Sequence, residues 1–205
     1  MSGIEIIGLI SATIGIIDGA SKLYSVIANT NHIPEAFREA GNHLPLVRDT
    51  LQTITQRFEE HNFDHTAYMA IKPTLKSCAD RAERLRDILQ EVVAQPDASR
   101  TQRYRMAVRR LGSESKVEEL AKGMLMDVQL LAVHQSIGGV GRDKVDEQVK
   151  VIHALSEVPP SVPDGPAFTH SGTGDQINNS GSGTMNLNKG TGKQYIAHSM
   201  TFGSS

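Results

Sequence analysis

From Ile33 to Phe58 the apolar residues Ile33, Phe37, Ala40, Leu44, Val47, Leu51, Ile54 and Phe58 recur in alternating steps of four and three without a miss. Only a helix lines up residues at that spacing, and a line so apolar is stable only when buried against a partner. The same alternation returns at Ile71, Leu75, Cys78, Ala82, Leu85, Leu89 and Val92, and helical spacing in steps of three, four, four and three sets Val117, Leu120, Met124, Val128 and Leu131 along one face. An earlier run sets Ile7, Ile10, Ile14 and Ile17 along one stripe, and a late piece carries Val145, Val149, Ile152 and Leu155. Near-continuous helices with short connections imply an all-α chain, an antiparallel helical bundle over residues 1–157.

Helix punctuation fits that reading. The spacing predicts helices over about residues 4–28, 34–61 and 64–94. Pro34 suits a first helical turn, whereas Pro45 falls mid-pattern and should kink or split its helix. Gln95-Pro96-Asp97 ends the third helix, and Asp97 or Ser99 is placed to cap a shorter one that runs to Leu111 and stops at Gly112. Ser115 and Glu118 have the spacing of a capping box. The glycines at 138, 139 and 141 then break the chain before the last helix.

Pro159-Pro160-Ser161-Val162-Pro163 changes the character of the chain. Prolines at that density favour an extended, solvated spacer, here assigned to residues 158–171. After it comes a repeat of period nine over residues 172–198: GTGDQINNS, GSGTMNLNK, GTGKQYIAH. Residues 199–205 trail behind. Self-similarity at fixed period marks stacked units. Each unit has a glycine turn, at Gly174, Gly183 and Gly192, followed by a short run suited to a strand. Gln176, Asn178, Asn179, Asn186, Asn188 and Gln194 can build amide ladders between like units in register, with Ile177, Leu187, Tyr195 and Ile196 as a dry seam. A lone copy buries too little to offset an ordering cost of roughly 1–2 kcal/mol per residue, so the tail should be disordered alone and cross-β when many copies meet. The plainer alternative is a Gly/Ser/Asn linker with no role in assembly.

Several function classes are disfavoured. The net charge is −2 and aromatics make up 4% of residues, so neither bulk attraction to nucleic acid nor stacking platforms for it are indicated. The lone cysteine, Cys78, sits in an apolar stripe and reads as a core residue in a reducing compartment. Apolar residues 4–17 have no basic flank and carry Glu5, unlike a secretion signal, and the stretch is shorter than the about 20 residues that span a bilayer. A cytoplasmic resting state is expected. Gly190-Thr191-Gly192-Lys193 lacks the upstream glycine and following Ser/Thr of a phosphate loop. His61 and His65 lack the intervening Glu of a zinc motif, and no nucleophile has a usable partner. No catalytic, cofactor or metal residue is assigned, and the chain is not expected to be an enzyme.

Two features suggest surfaces. Gly8, Ala12, Gly15 and Gly19 form a small-residue stripe in the first helix, the kind that lets helix backbones approach closely in lipid or, equally, in a soluble bundle. Asp18 and Lys22, one turn apart, could pair beside it. Arg81, Arg84, Arg86, Arg100, Arg103, Arg105, Arg109 and Arg110 cluster in the third and fourth helices, either as an attraction for anionic lipid or as a solvated face.

The blocks MSGIEIIGLISATIGIIDGASKLY, IPEAFREAGNHLPLVRDTLQ and KVEELAKGMLMDVQLLA resemble the fungal SesA family, also described as an N-terminal domain on NACHT-NTPases and P-loop NTPases. The likeness covers roughly residues 1–135. The glycine-bounded Gln/Asn repeats resemble the sigma-type amyloid signalling motif that accompanies such domains. The resemblance implies a HeLo-like or death-effector type of bundle. It further implies a partner, a NACHT-type NOD-like receptor whose own motif templates the tail, and homo-oligomerisation leading to regulated death in heterokaryon incompatibility or defence. With no NTPase following the tail, the layout resembles an effector more than a receptor. The alternative is a non-lethal helical adaptor of the same pathway.

Overall fold

In the computed structural model of the chain, residues 3–28, 33–60, 65–94, 99–112, 115–134 and 141–162 are described. All fall in the compact unit Met1–Pro163, and the second unit, Asp164–Ser205, lies outside them. The described residues form seven helices in order: α1 (Gly3–Ala28), α2 (Glu35–Asn42), α3 (Leu44–Glu60), α4 (His65–Val93), α5 (Arg100–Leu111), α6 (Val117–Val133) and α7 (Arg142–Glu157). Among the described residues there is no strand, and the fold is an all-α bundle. Helix α4 is the hub, packed on α1, α5 and α6, while α3 closes against α1 and α6.

The four-three lines are the core. Every residue of the line from Ile33 to Phe58 is buried, as is every residue of the lines on α4 and α6. Each fully buried Leu, Ile or Phe contributes about 1.5–3 kcal/mol relative to exposure. The expected break near Pro45 is real, but it falls at His43, which ends α2 so that Pro45 becomes the second residue of α3. There its missing N–H costs no intrahelical bond. Pro73, by contrast, is tolerated inside α4. The carbonyl it deprives of a partner belongs to Met69, which lies on the open face of the helix.

Gly41 admits a close approach. A Cβ there would come within 2.0 Å of the Tyr24 ring. That ring instead lies flat on Phe37, centroids 5.2 Å apart, and its hydroxyl donates to the Arg38 carbonyl at 2.6 Å. Burial, then the nearby Glu39 carboxylate, pushes the Tyr24 phenol up to about 12. At the other end of α5, Gly112 adopts φ 96° and terminates the helix, as expected of a glycine stop.

Four expectations are corrected. On α1 the buried line is Ile6, Ile10, Thr13, Ile17, Ala20, Tyr24 and Ile27, with Ile7 and Ile14 only half-buried. On α7, Gln148 and not Val149 turns inward, where its amide donates to the Thr50 hydroxyl at 2.7 Å. No capping box forms: Lys116 is the N-cap of α6, Ser115 Oγ donates back to the Leu111 carbonyl, and Glu118 is buried. Finally, Ser161 and Val162 are buried on the bundle, so the proline spacer is exposed at Pro159 and Pro160 but docks immediately after them.

Candidate functional site

The first helix is the unusual surface. Its segment Ile4–Ile27, 24 residues, is the one described helix long and apolar enough to cross a membrane, and only 28% of its 18-residue apolar window is buried. The sequence expectation of a stretch too short to span is thereby revised, because the helix continues without interruption past Asp18 and Lys22. Its buried line contacts α4 and α3. The opposite face carries the small-residue stripe. Gly8, Ala12 and Gly15 are exposed and Gly19 is half-exposed. No atom lies within 4 Å of where a Cβ would stand on Gly8, Gly15 or Gly19. The stripe therefore serves no helix packing among the described residues. Ile4 is 79% exposed beside it.

Asp18 does not pair with Lys22. Its carboxylate lies 3.7 Å from the Arg48 guanidinium on α3, which also takes Asp49 at 2.9 Å. Both partners are well exposed, so this pair adds little stability. It does mean that the charge on α1 is answered by the bundle and not along the helix.

The arginines do not form one patch. Arg81 crosses Gly123 to reach Asp127 and also donates to Ser77 one turn back on α4, and a Cβ at Gly123 would meet the Arg81 side chain. Burial raises the Asp127 carboxyl above the usual range, opposed by the Arg81 charge. Arg86 pairs with Asp87, Arg110 with Glu91, and Arg100 donates to the Val26 carbonyl at 3.0 Å. Arg103 is buried. Cys78 is fully enclosed, its thiol pushed up to about 12 by burial and then by Asp127, so it is inert as a nucleophile.

Where the bundle meets the spacer, a buried carboxylate makes the joint. Glu118 accepts from the Ser161 N–H at 2.8 Å and from the Ser161 hydroxyl at 2.7 and 2.8 Å. The Tyr104 hydroxyl, which accepts from the Val117 N–H at 3.1 Å, stands 3.5 Å from the same carboxylate. Burial, then Glu118, raises the Tyr104 phenol well above its ordinary value. Sequence reasoning missed Glu118, although a signal was present. Glu118, Ala121, Leu125, Val128 and Ala132 form a second four-three line on α6, with a charged residue inside it.

The repeat residues Gly174, Gln176, Ile177, Asn178, Asn179, Gly183, Asn186, Leu187, Asn188, Gly192, Gln194, Tyr195 and Ile196 all lie outside the described residues, as do His61 and Pro163. Among the described residues no three of His, Cys, Asp and Glu gather into a metal-sized group.

No curated protein and no solved structure matches the chain. Two family models do. Residues 165–203 match the sigma domain on NACHT-NTPases. Residues 10–131 match the family described as the N-terminal domain on NACHT_NTPase and P-loop NTPases. That match covers more than half of the 205 residues and runs from the first turns of α1 to the last turn of α6, so the chain belongs to the SesA family.

Proposed function

We propose that the chain is a signalling effector in a NACHT-NTPase pathway, in which the repeat tail receives the signal and the helical bundle delivers it. The tail adopts a stacked cross-β fold templated by a matching stretch on a NACHT-type NOD-like receptor. Copies gather, and α1 acts on a membrane to bring about regulated cell death. The resting chain is cytoplasmic and performs no catalysis.

The observation that carries this reading is the open face of α1. A soluble bundle gains nothing from leaving an apolar, glycine-lined helix face uncovered, and exposed apolar area of that extent usually marks an interaction surface. In lipid the same face lets backbones approach, and helix association there depends on such close packing. The tail supplies the trigger because its amide-rich units share backbone hydrogen bonds only when many chains stack. The co-occurrence of a SesA match and a sigma match on one chain supports the coupling of the two parts.

The test is death in cells expressing the full chain together with a preassembled receptor tail. A Cβ at Gly15 would meet no neighbouring atom and the position is exposed, so Gly15→Leu should leave the bundle folded while killing is lost. Killing by Gly15→Leu at equal expression would remove α1 from the mechanism. A peptide of residues 168–205 that stays monomeric with thioflavin and cognate seed would remove the tail.

A second reading, a non-lethal adaptor, draws on α6. Met126, Leu130 and Val133 stand exposed at helical spacing on its outer face, a surface suited to another helix. Death on forced oligomerisation separates the two, since an adaptor would not kill.

A further inference from the structure

Between the C-terminal half of α4 and α5 runs a groove of about 340 Å³ lined by Arg103, Met106 and Arg110 from α5 and by Glu91 from the end of α4. Through Glu91 and Arg110 it continues into a second hollow of about 430 Å³ that reaches Arg84 and Leu111. Arg103 is the anomaly. It is 6% exposed, and its Nε and Nη1 have no hydrogen-bond partner. A guanidinium stays charged at any ordinary pH, and a buried charge without a partner is strongly unfavourable. No carboxylate among the described residues pairs with it. The two acids of the groove are committed elsewhere, Glu91 to Arg110 and Asp87 to Arg86.

The surroundings say what kind of anion fits. Met106 is 52% exposed and Leu111 is 42% exposed, so the cationic floor is flanked by uncovered aliphatic surface. A free oxyanion would satisfy the guanidinium and leave that surface wet. A phosphate that carries an acyl chain satisfies both. We propose that this groove binds an anionic phospholipid, its phosphate oxygens accepting from the Arg103 guanidinium as that enclosed side chain turns outward into the groove it lines, and its chain lying over Met106 and Leu111. Arg84 adds long-range attraction, and Arg110 contributes the N–H groups that Glu91 leaves over. The site goes beyond the signalling reading and needs neither tail assembly nor death to be seen, so each can fail without the other.

The experiment titrates the full-length chain with dihexanoylphosphatidic acid below its micelle concentration, with dihexanoylphosphatidylcholine and inorganic phosphate in parallel. Calorimetry reads affinity, and thermal melting reads stability. The phosphatidic acid should bind about tenfold or more tightly than either comparator, as expected for a charge-assisted contact. Arg103→Met should lose that advantage and yet melt higher than the parent chain without lipid, because an unpartnered buried cation is gone. Met106→Glu, at an exposed position that folding tolerates, should also weaken binding. Arg105→Gln, exposed on the same helix and away from the groove, should bind as the parent does. Unchanged affinity in both Arg103→Met and Met106→Glu overturns the site. Inorganic phosphate binding as well as the lipid overturns the choice of ligand. Equal losses in Arg105→Gln and Arg103→Met reduce the effect to diffuse charge attraction and overturn it as well.

Discussion

The two longest helices, α1 with 26 residues and α4 with 29, are built on opposite principles. Helix α4 is amphipathic. One line from Ile71 to Val92 is fully buried, while Arg84, Glu83, Asp80 and Asp87 occupy the far side in water. Helix α1 is apolar on nearly every side, yet the bundle covers only the line from Ile6 to Ile27. The hub thus carries as much apolar surface as its partners can bury, and α1 carries more. Hydrophobicity beyond what folding uses is the mark of a surface with a second task.

The largest expected contrast comes from truncating one buried and one exposed residue. Leu85→Ala on α4 should cost about 2–5 kcal/mol, read as a lowered urea midpoint. Ile4→Ala on the open end of α1 should stay within about 0.5 kcal/mol. Comparable losses would mean that the outer side of α1 is covered after all. Next in size, Gly41→Ala forces a methyl into the Tyr24 ring and should cost about 1–3 kcal/mol, unfastening α1 from α2. A neutral result by thermal melting would show that Tyr24 moves aside freely. Smaller, and of opposite sign, Gly15→Ala fills open space on a helix and should stabilise by up to about 1 kcal/mol. A loss there would point to a hidden neighbour.

The smallest effect concerns pH. Asp127, beside the α4 residue Arg81, has its carboxyl raised in the folded state, mainly by burial. Below the unfolded value of 3.8 its contribution to stability is fully present, and it is lost as pH rises through the higher folded value. The difference in denaturant stability between the parent chain and Asp127→Asn should therefore shift toward the parent as pH falls into that window. A shift the other way would mean that Arg81 outweighs desolvation.

Legibility in the sequence tracked the contrast between the two helices. On α3, α4 and α6 polar residues flank the apolar lines, so period and phase could both be read, and every residue on those lines is buried. On α1 isoleucines stand at 4, 6, 7, 10, 14, 16, 17 and 27, and no polar face marks which of them turn inward. The period was visible, and Ile10 and Ile17 do turn inward, but the buried positions beside them are Ile6 and Thr13 and not Ile7 and Ile14. The small-residue stripe was legible as a spacing, whereas its exposure was not. Glu118 was misread as a cap because capping is a local rule, and its real partner, Ser161, lies 43 residues away. Arg103 was counted within a surface cluster because charge alone does not report burial.

Local chemistry alone therefore determined the helices, their stops at Gly112 and before Pro96, the buried lines of the amphipathic segments and the nine-residue tail repeat. These depend on neighbours within a turn or on a fixed period. Tertiary structure decided which side of α1 stays open, where the spacer is fastened and which arginine is enclosed. Burial is a property of what packs against a residue, and a chain written in one dimension holds that information only where apolar and polar faces differ enough to point inward on their own.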